Sequence, residues 1–462
     1  MIRTTGARRA RPGDRPVERP RPRDGAHRRA RRAIHPTLLA GALTACLALG
    51  ALFARGPLVN GVTGEDAVGA RLVRPLGYVL AAPLSNVLDT LALLSTRQHV
   101  ALLAGLFVLF ALWRVVHRRR RQTRLRALAG ELLALAPFLA VVFALYAASA
   151  LLPRPQARLA LSDPEELAVD FHSHTRFSHD GMRWFTVERN RAWHRALGFD
   201  VAYVTDHDAV GAAAEERAGN PRRAGAGVTL LSGVELRAPG EHPVLLGVTS
   251  ADNAAFQEGE LKAGRLPEVR ARRAAAVPVI FTLPGEVEPG RWPVRPQAFE
   301  IVDPTPRGLG QLDRDRARLV HVADSLGIAL VASTNNHGWQ APGVGWNVMR
   351  IPGWRALSPA ELDRRIRQRL HDGGPGVVRV VGRRRVATAA SLPGQALTLP
   401  AVGWNLLRTL SWPERAAWVA WIWLAWIASA RGRAAPAGAP GAGGEAAEPI
   451  ARPRRARTAG RR

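Results

Sequence analysis

Three long apolar runs constrain this chain more than anything else in it, because a segment that cannot be left in water must be placed either in a membrane or in a core. Residues 37–54 carry no charge, 100–116 carry only Arg114 near their end, and 132–152 carry none. Each is close to the roughly 20 residues that cross a bilayer core. A fourth run, 416–430, is shorter and rich in tryptophan (Trp418, Trp421, Trp423, Trp426). The reading is four spans, with 397–412 lying at the interface ahead of the last one. Pro137 is tolerated inside a membrane helix, where neighbouring groups satisfy the freed carbonyl. A signal peptide is the alternative for the first run, but no small-residue cleavage site follows it.

The formal net charge of +28 gains meaning from its placement. Arginine crowds residues 1–34, recurs at Arg118 to Arg121, and returns from Arg452 to Arg462. Basic surfaces that read nucleic acid carry interleaved aromatics or a recognisable motif, and these stretches have neither, so no nucleic-acid partner is expected. The positive-inside bias puts all three on the cytoplasmic face. Four spans satisfy that at once, leaving 154–393 outside a bacterial inner membrane; a fifth span at 397–412 would put the C-terminal tail outside, against the bias. The tails 1–34 and 431–462 are Arg, Ala, Pro and Gly sequence with little apolar surface to offset ordering, and are expected to be disordered. The domain plan is therefore a basic tail, a membrane region over 35–153, a soluble domain over 154–393, a segment over 397–430 holding the fourth span, and a second basic tail. Cys46 is the single cysteine, which excludes an internal disulfide framework and a thiolate metal site.

The soluble stretch alternates short β-branched runs with helical patterns. LAVDF, VAYVT, VTLL, PVLLGV, VPVIF, FEIV and IALVAS read as seven buried strands. Helices are expected near Val187 to Leu197 with Gly198 as the stop, near Gln311 to Leu326 with Gly327 as the stop, and from the Ser358-Pro359-Glu361 start to about His371. Alternation of this kind implies a parallel sheet, and seven strands suggest a barrel.

The polar residues collect where such a barrel keeps its chemistry, at the carboxyl ends of the strands. LAVDF runs into His172, His174, His179 and Asp180; VAYVT into Asp206, His207 and Asp208; VTLL is followed by Glu235; IALVAS ends at Asn335, Asn336 and His337. Imidazole with carboxylate suits zinc, manganese or iron, whereas magnesium or calcium favour all-oxygen sites. An HxH pair alone is weak evidence, and any one of these histidines is equally a core residue. Asp206 or Asp208 is the expected orienting group or base for a water, with helix capping as the plain alternative. His194, His321 and His371 fall on helices and are expected to be packing or surface residues. Trp339, Trp346 and Trp354 either wall the pocket or pack over the mouth.

The segments DFHSHTRFSHDG, GFDVAYVTDHDAV, LLSGVELR, EHPVLLG and ASTNNHG stand in an order that resembles the PHP (polymerase and histidinol phosphatase) family of metal-dependent phosphoesterases. The resemblance covers about half the chain and says nothing of the spans. It implies a distorted seven-stranded barrel holding two or three metal ions and hydrolysing phosphate esters. It assigns His172, His174 and Glu235 to one metal, Glu235 and His242 to a second, and Asp180, His207 and His337 to a third, with His179 the rival of Asp180. Two positions depart from the pattern. Leu283 stands where the family has a histidine, and Asn335 where it has an aspartate. One or two ions are therefore expected, of zinc, manganese or iron. No glycine-rich cofactor fingerprint is present. The expected function is a membrane-anchored hydrolase, first a phosphoesterase of small or lipid-linked phosphates outside the cytoplasm. The alternatives are a hydrolase of carboxylic esters or amides and a non-catalytic binding or sensing module.

Overall fold

The computed structural model describes residues 36–117, 124–236, 242–248, 277–283 and 295–434. The basic tails and most of the Arg118 to Arg126 loop lie outside the described residues. In chain order the strands are β1 (Leu58–Asn60), β2 (Ala70–Val73), β3 (Arg158–Leu161), β4 (Glu166–Ser173), β5 (Val201–Val204), β6 (Thr229–Glu235), β7 (His242–Leu246), β8 (Val279–Thr282), β9 (Ala298–Val302), β10 (Ala329–Ala332), β11 (Gly345–Arg350) and β12 (Arg379–Arg383). The seven runs picked out in the sequence are β4 to β10, and they lie side by side in that order. Nearly every residue of β5, β7, β8, β9 and β10 is buried. That is why they read as continuous apolar runs: both faces of each strand are covered.

The sheet is mixed rather than parallel. β4, β5 and β6 run parallel, as do β8, β9 and β10, but β7 is antiparallel to both neighbours. The cause lies in the chain length: only residues 236–241 separate β6 from β7, and a parallel crossover needs a dozen or more. β11 adds antiparallel to the outer side of β4, then β12, then β1. The sheet curls until β10 meets β4. There the Asn335 N–H donates to the His172 carbonyl at 2.9 Å and the His174 N–H to the Asn336 carbonyl at 3.1 Å.

Asn347 of β11 closes the rest of the seam. Its Oδ1 accepts from the Ala332 N–H at 2.7 Å, while its Nδ2 donates to the Ala332 and Val169 carbonyls at 2.7 and 3.0 Å. One buried side chain thus stands in for a stretch of ladder. Asn347→Ala is expected to leave three buried backbone groups unpaired and to cost about 2 to 3 kcal/mol, read as a lower unfolding temperature of the purified protein.

The helices start and stop where side chains satisfy their ends. Thr186 accepts from the Arg189 N–H, and Gly198 ends that helix at φ 83°. A side chain at Gly198 would also meet the Leu159 carbonyl oxygen at 2.3 Å. The helix Pro306–Leu326 begins five residues before the sequence-based start, because Thr305 caps it by accepting from the Gly308 N–H and Pro306 occupies its first turn. Ser358 caps Pro359–Asp372 as expected.

The four-span reading is corrected: two helices, not four, qualify as candidate spans among the described residues. Among the described residues, Thr96–Val116 and Ala129–Leu151 are long and apolar enough to cross a membrane. The first apolar helix, Pro36–Leu52, stops at 17 residues. The last, Trp412–Ala434, carries Glu414 and Arg415 in its first turn and Arg431 near its end, which shortens its uncharged part. The two longer helices face each other: Phe110 stacks on Phe138 at 4.6 Å and Arg114 pairs with Glu131 at 2.8 Å.

Residues 55–95, between the first two apolar helices, pack with the domain. β1 pairs with β12, and β2 pairs with β3. Beneath them Asp89 accepts from the Tyr78 hydroxyl at 2.9 Å and pairs with Arg154 at 3.0 Å and Arg383 at 2.8 Å, all of them buried or nearly so. Burial works against charge on Arg383, but Asp89 and Tyr78 outweigh it and raise its pKa.

Candidate metal centre

The carboxyl ends of β4, β5, β6 and β10 deliver their polar residues to one mouth. Glu235, the last residue of β6, is the hub. Its Oε2 lies 3.1 Å from His172 Nε2, 3.3 Å from His174 Nε2 and 3.3 Å from His207 Nδ1; its Oε1 lies 3.2 Å from His242 Nδ1. His172 Nε2 and His174 Nε2 are themselves 3.0 Å apart. A second focus adjoins it. Asp180 Oδ2 is 3.5 Å from His207 Nε2, and Asp180 Oδ1 is 3.1 Å from His337 Nδ1. The His174 ring joins the two, stacked on His337 at 4.0 Å and on His207 at 4.9 Å between centroids.

These donors fit a cation better than they fit one another. Three imidazole nitrogens crowd a single carboxylate oxygen, yet His174 Nδ1, His207 Nδ1 and His337 Nδ1 are buried without a hydrogen-bond partner. His207 and His337 have carboxylate oxygens within 3.3 Å, but without hydrogen-bond geometry. Ligand atoms about 2.1 Å from a tetrahedral zinc stand about 3.4 Å apart, close to the spacings around Glu235. The groups that converge are His172, His174 and Glu235; His207, Glu235 and His242; His174, His207 and His337; and His179, Asp180 and His207. The donors are imidazoles and carboxylates, a set that suits a divalent metal ion.

The electrostatics prepare the same atoms. Burial first, and then the neighbouring histidines, lower His207 to about 4 and His337 to about 3, which keeps both imidazoles neutral and able to ligate. Asp180 falls to about 2: burial opposes this, but the Ser178 hydroxyl at 2.7 Å and His337 overcome it. Burial likewise opposes charge on Glu235, and the histidines around it, His172 above all, hold it well below the usual carboxylate range.

Several expectations change with the tertiary structure. Asp206 is buried and bonded at both oxygens: its Oδ1 accepts from the Thr175 N–H at 2.6 Å and its Oδ2 from the Thr175 hydroxyl at 2.7 Å. It braces the loop after the HxH pair, and at 1% exposure it has little access to a water. Asp208 is exposed at φ 49°, its N–H on the Glu235 carbonyl at 2.9 Å. Asp180 sits between His207 and His337, whereas His179, half exposed, stands on the rim 3.9 Å from Asp180. Leu283 packs against the apolar core. Asn335 turns its Nδ2 to Asp303 at 2.9 Å and its Oδ1 to His337 Nε2 at 2.9 Å. Asp208, Leu283 and Asn335 are the three non-glycine residues with positive φ among those described, and all lie at this mouth. His194 is a packing residue, one of its two expected places: it is fully buried, with Nε2 2.9 Å from Asp170.

Two carboxylates escaped the sequence reading. Glu300 Oε1 is 2.7 Å from His172 Nδ1, so the imidazole donates there and presents its Nε2 lone pair to the centre. The available signal was a lone acid inside the otherwise apolar strand FEIV. Asp170 accepts from the His172 and Thr334 N–H groups, and from the Thr334 hydroxyl, tying β4 to the end of β10. Glu300→Gln is expected to lower metal affinity by roughly 10- to 100-fold without unfolding the protein, measured by competition with a chromogenic chelator.

No protein-family model matches the sequence, and no curated protein matches it. Solved structures similar in part include the lesion-specific endonuclease PfuEndoQ from Pyrococcus furiosus, at 13% identity over 53% of this chain and 72% of that one, with a TM-score of 0.34. PsfC from Pseudomonas syringae is 15% identical over 53% of this chain and 99% of its own, with a TM-score of 0.35. A two-domain protein from Bacteroides vulgatus, described as containing a PHP-like metal-dependent phosphoesterase, is 16% identical over 43% and 63%, with a TM-score of 0.26.

Proposed function

We propose that this chain is a metal-dependent phosphoester hydrolase, held at a membrane by Thr96–Val116 and Ala129–Leu151. The observation that carries the reading is the run of adjoining donor groups from Glu235 to Asp180, which share His174 and His207. A single structural ion needs one group of four donors; a row of overlapping groups suits two ions set side by side, the arrangement that clamps a phosphoryl group.

His172, His174, His207, His242 and Glu235 would hold one side of the site, and Asp180, His207 and His337 the other. When bound, the metal supplies an activated water and neutralises charge on the phosphoryl oxygens. The chain does the rest. Glu300 fixes the His172 tautomer, and Asp206 with Thr175 and Asp170 with Thr334 hold the loops that carry the donors. His179 and Asp208 stand on the exposed rim, where a proton is exchanged between the departing alcohol and solvent. In this reading the two helices enter and leave the membrane on the side that carries the site.

Leu283 and Asn335 favour one competing reading, a metal-binding sensor without turnover, because each replaces a ligand of the family it resembles. Metal analysis of the full-length protein in detergent, with p-nitrophenyl phosphate and bis-p-nitrophenyl phosphate assayed after loading with manganese or zinc, separates the two. Bound metal with turnover of either ester is the expected result. Tightly bound metal with no turnover of either would replace the hydrolase by the sensor.

A further inference from the structure

Among the described residues β9 supplies none of the converging donors, yet it places two carboxylates behind them. Glu300, inside the strand, bonds to His172 Nδ1. Asp303 follows the last residue of the strand and is fully buried. Its Oδ1 accepts from the Thr305 N–H at 2.7 Å and from the Thr305 hydroxyl, and its Oδ2 accepts from Asn335 Nδ2 at 2.9 Å. Asn335 Oδ1 in turn lies 2.9 Å from His337 Nε2. Asp303, Asn335 and His337 thus form one line of hydrogen bonds that ends on a donor of the centre.

That line fixes where the protons sit. A carboxylate only accepts, so the Asn335 amide turns its NH2 to Asp303 and its oxygen to His337. The neutral imidazole then carries its proton on Nε2, which leaves the lone pair of Nδ1 free. Nδ1 is the nitrogen that faces the centre: it lies 3.1 Å from Asp180 Oδ1 and is buried without a hydrogen-bond partner. Asn335 also holds φ 41°, a conformation that costs any residue but glycine. Such a conformation persists where the surroundings over-determine it, and this amide is held at both ends.

We propose that Asp303 and Asn335 are positioning residues that hold His337 in the tautomer able to ligate through Nδ1; this rests on the metal centre of the hydrolase reading and assigns the groups behind one of its donors. Asn335 is then not a weakened ligand. It does for His337 what Glu300 does for His172, through one more link. Of the two departures that favour a sensor, Leu283 alone still counts. An acid put back at position 335 would harm the centre rather than complete it, because the new carboxylate would meet that of Asp303 oxygen to oxygen.

The test uses full-length protein in detergent, with zinc and manganese affinity read by competition with a chromogenic chelator. In Asp303→Asn the amide keeps its oxygen on Thr305 and turns its NH2 to Asn335. Asn335 then flips, its own NH2 meets His337 Nε2, and the imidazole proton moves to Nδ1. Affinity is expected to fall about 10- to 100-fold. Asn335→Asp is expected to lose roughly tenfold or more. Combining Asp303→Asn with Asn335→Asp sets donor against acceptor again, and is expected to recover at least about tenfold of the loss. Asn335→Gly relieves the positive φ, so it is expected to keep or raise the unfolding temperature while affinity falls roughly tenfold. The tautomer is read by solid-state nitrogen NMR of metal-free protein labelled in histidine, with the His337 signals assigned by their loss in His337→Gln. The proton is expected on Nε2 in the unaltered protein and the double variant, and on Nδ1 in Asp303→Asn. Tighter binding or added metal in Asn335→Asp would overturn the proposal, as would an Asp303→Asn protein that keeps both tautomer and affinity. Should Asp303→Asn fail to fold, the two single changes at Asn335 decide. If the unaltered protein binds no metal the hydrolase reading fails, and the tautomer shift still decides the role of Asp303 and Asn335.

Discussion

Replacing Glu235 by glutamine is expected to abolish hydrolysis by a factor on the order of a thousand, equivalent to about 4 kcal/mol of transition-state stabilisation. Four histidines turn a nitrogen toward this one carboxylate, so an amide there removes the negative charge that holds them together around a cation. The amide also adds N–H donors opposite lone pairs that need a metal. Metal content and kcat/KM are measured on the same preparation. A glutamine variant that kept both would show that Glu235 is only a buried ion-pair partner of His172. His242→Ala is a graded comparison: this histidine is half exposed and touches the hub through the other oxygen, so its loss is expected to cost less than that of Glu235.

The second large effect lies away from the site. Asp89→Ala is expected to destabilise the protein by about 3 to 5 kcal/mol, the range for breaking a buried ion pair from one side. Arg154 and Arg383 would be left buried without their shared counterion, and the Tyr78 hydroxyl without its acceptor. Because these residues come from the segment after the first helix, the entry to β3 and the end of β12, the loss is expected to loosen the docking of the apolar helices as well as to lower the unfolding temperature. Thermal unfolding of the purified protein measures the first. Protease cutting near Arg154 and Arg384 measures the second. Asp89→Leu combined with Arg383→Met removes charges of both signs and is expected to recover part of the stability. An unfolding temperature unchanged in Asp89→Ala would mean that water already reaches the two arginines.

Much of the frame was legible from the chain alone, and for a local reason. Strand runs such as VAYVT and IALVAS are apolar on both faces, and turn residues such as Gly198 and Gly327 end helices by adopting a conformation that other residues resist. Each of these is decided within about a dozen residues, so each is written where it acts. The HxH pair, the TDH segment and Glu235 were equally visible, because a strand end fixes where its next residues point. The direction of β7 was a harder reading, although the six residues before it already ruled out a parallel crossover.

What only the tertiary structure decided are the relations between distant segments. That Glu300 orients His172, that Asp206 is spent on Thr175, and that Asn347 joins β10 to β4 are meetings of residues 128, 31 and 15 positions apart. No periodicity or local propensity records such a meeting. The number of helices fit for a membrane was misjudged for a related reason: the first stops at 17 residues, and the last, although 23 residues long, carries charges at both ends. The last helix begins at Trp412, and its Glu414 is drawn into a buried network with Asn86 and Arg74. The chain by itself therefore marked strands β4 to β10, three of the helices around them and the residues at their ends, but not the flanking strands β1 to β3, β11 and β12. Packing determined which of those residues face a common centre, because convergence is a property of the space between segments.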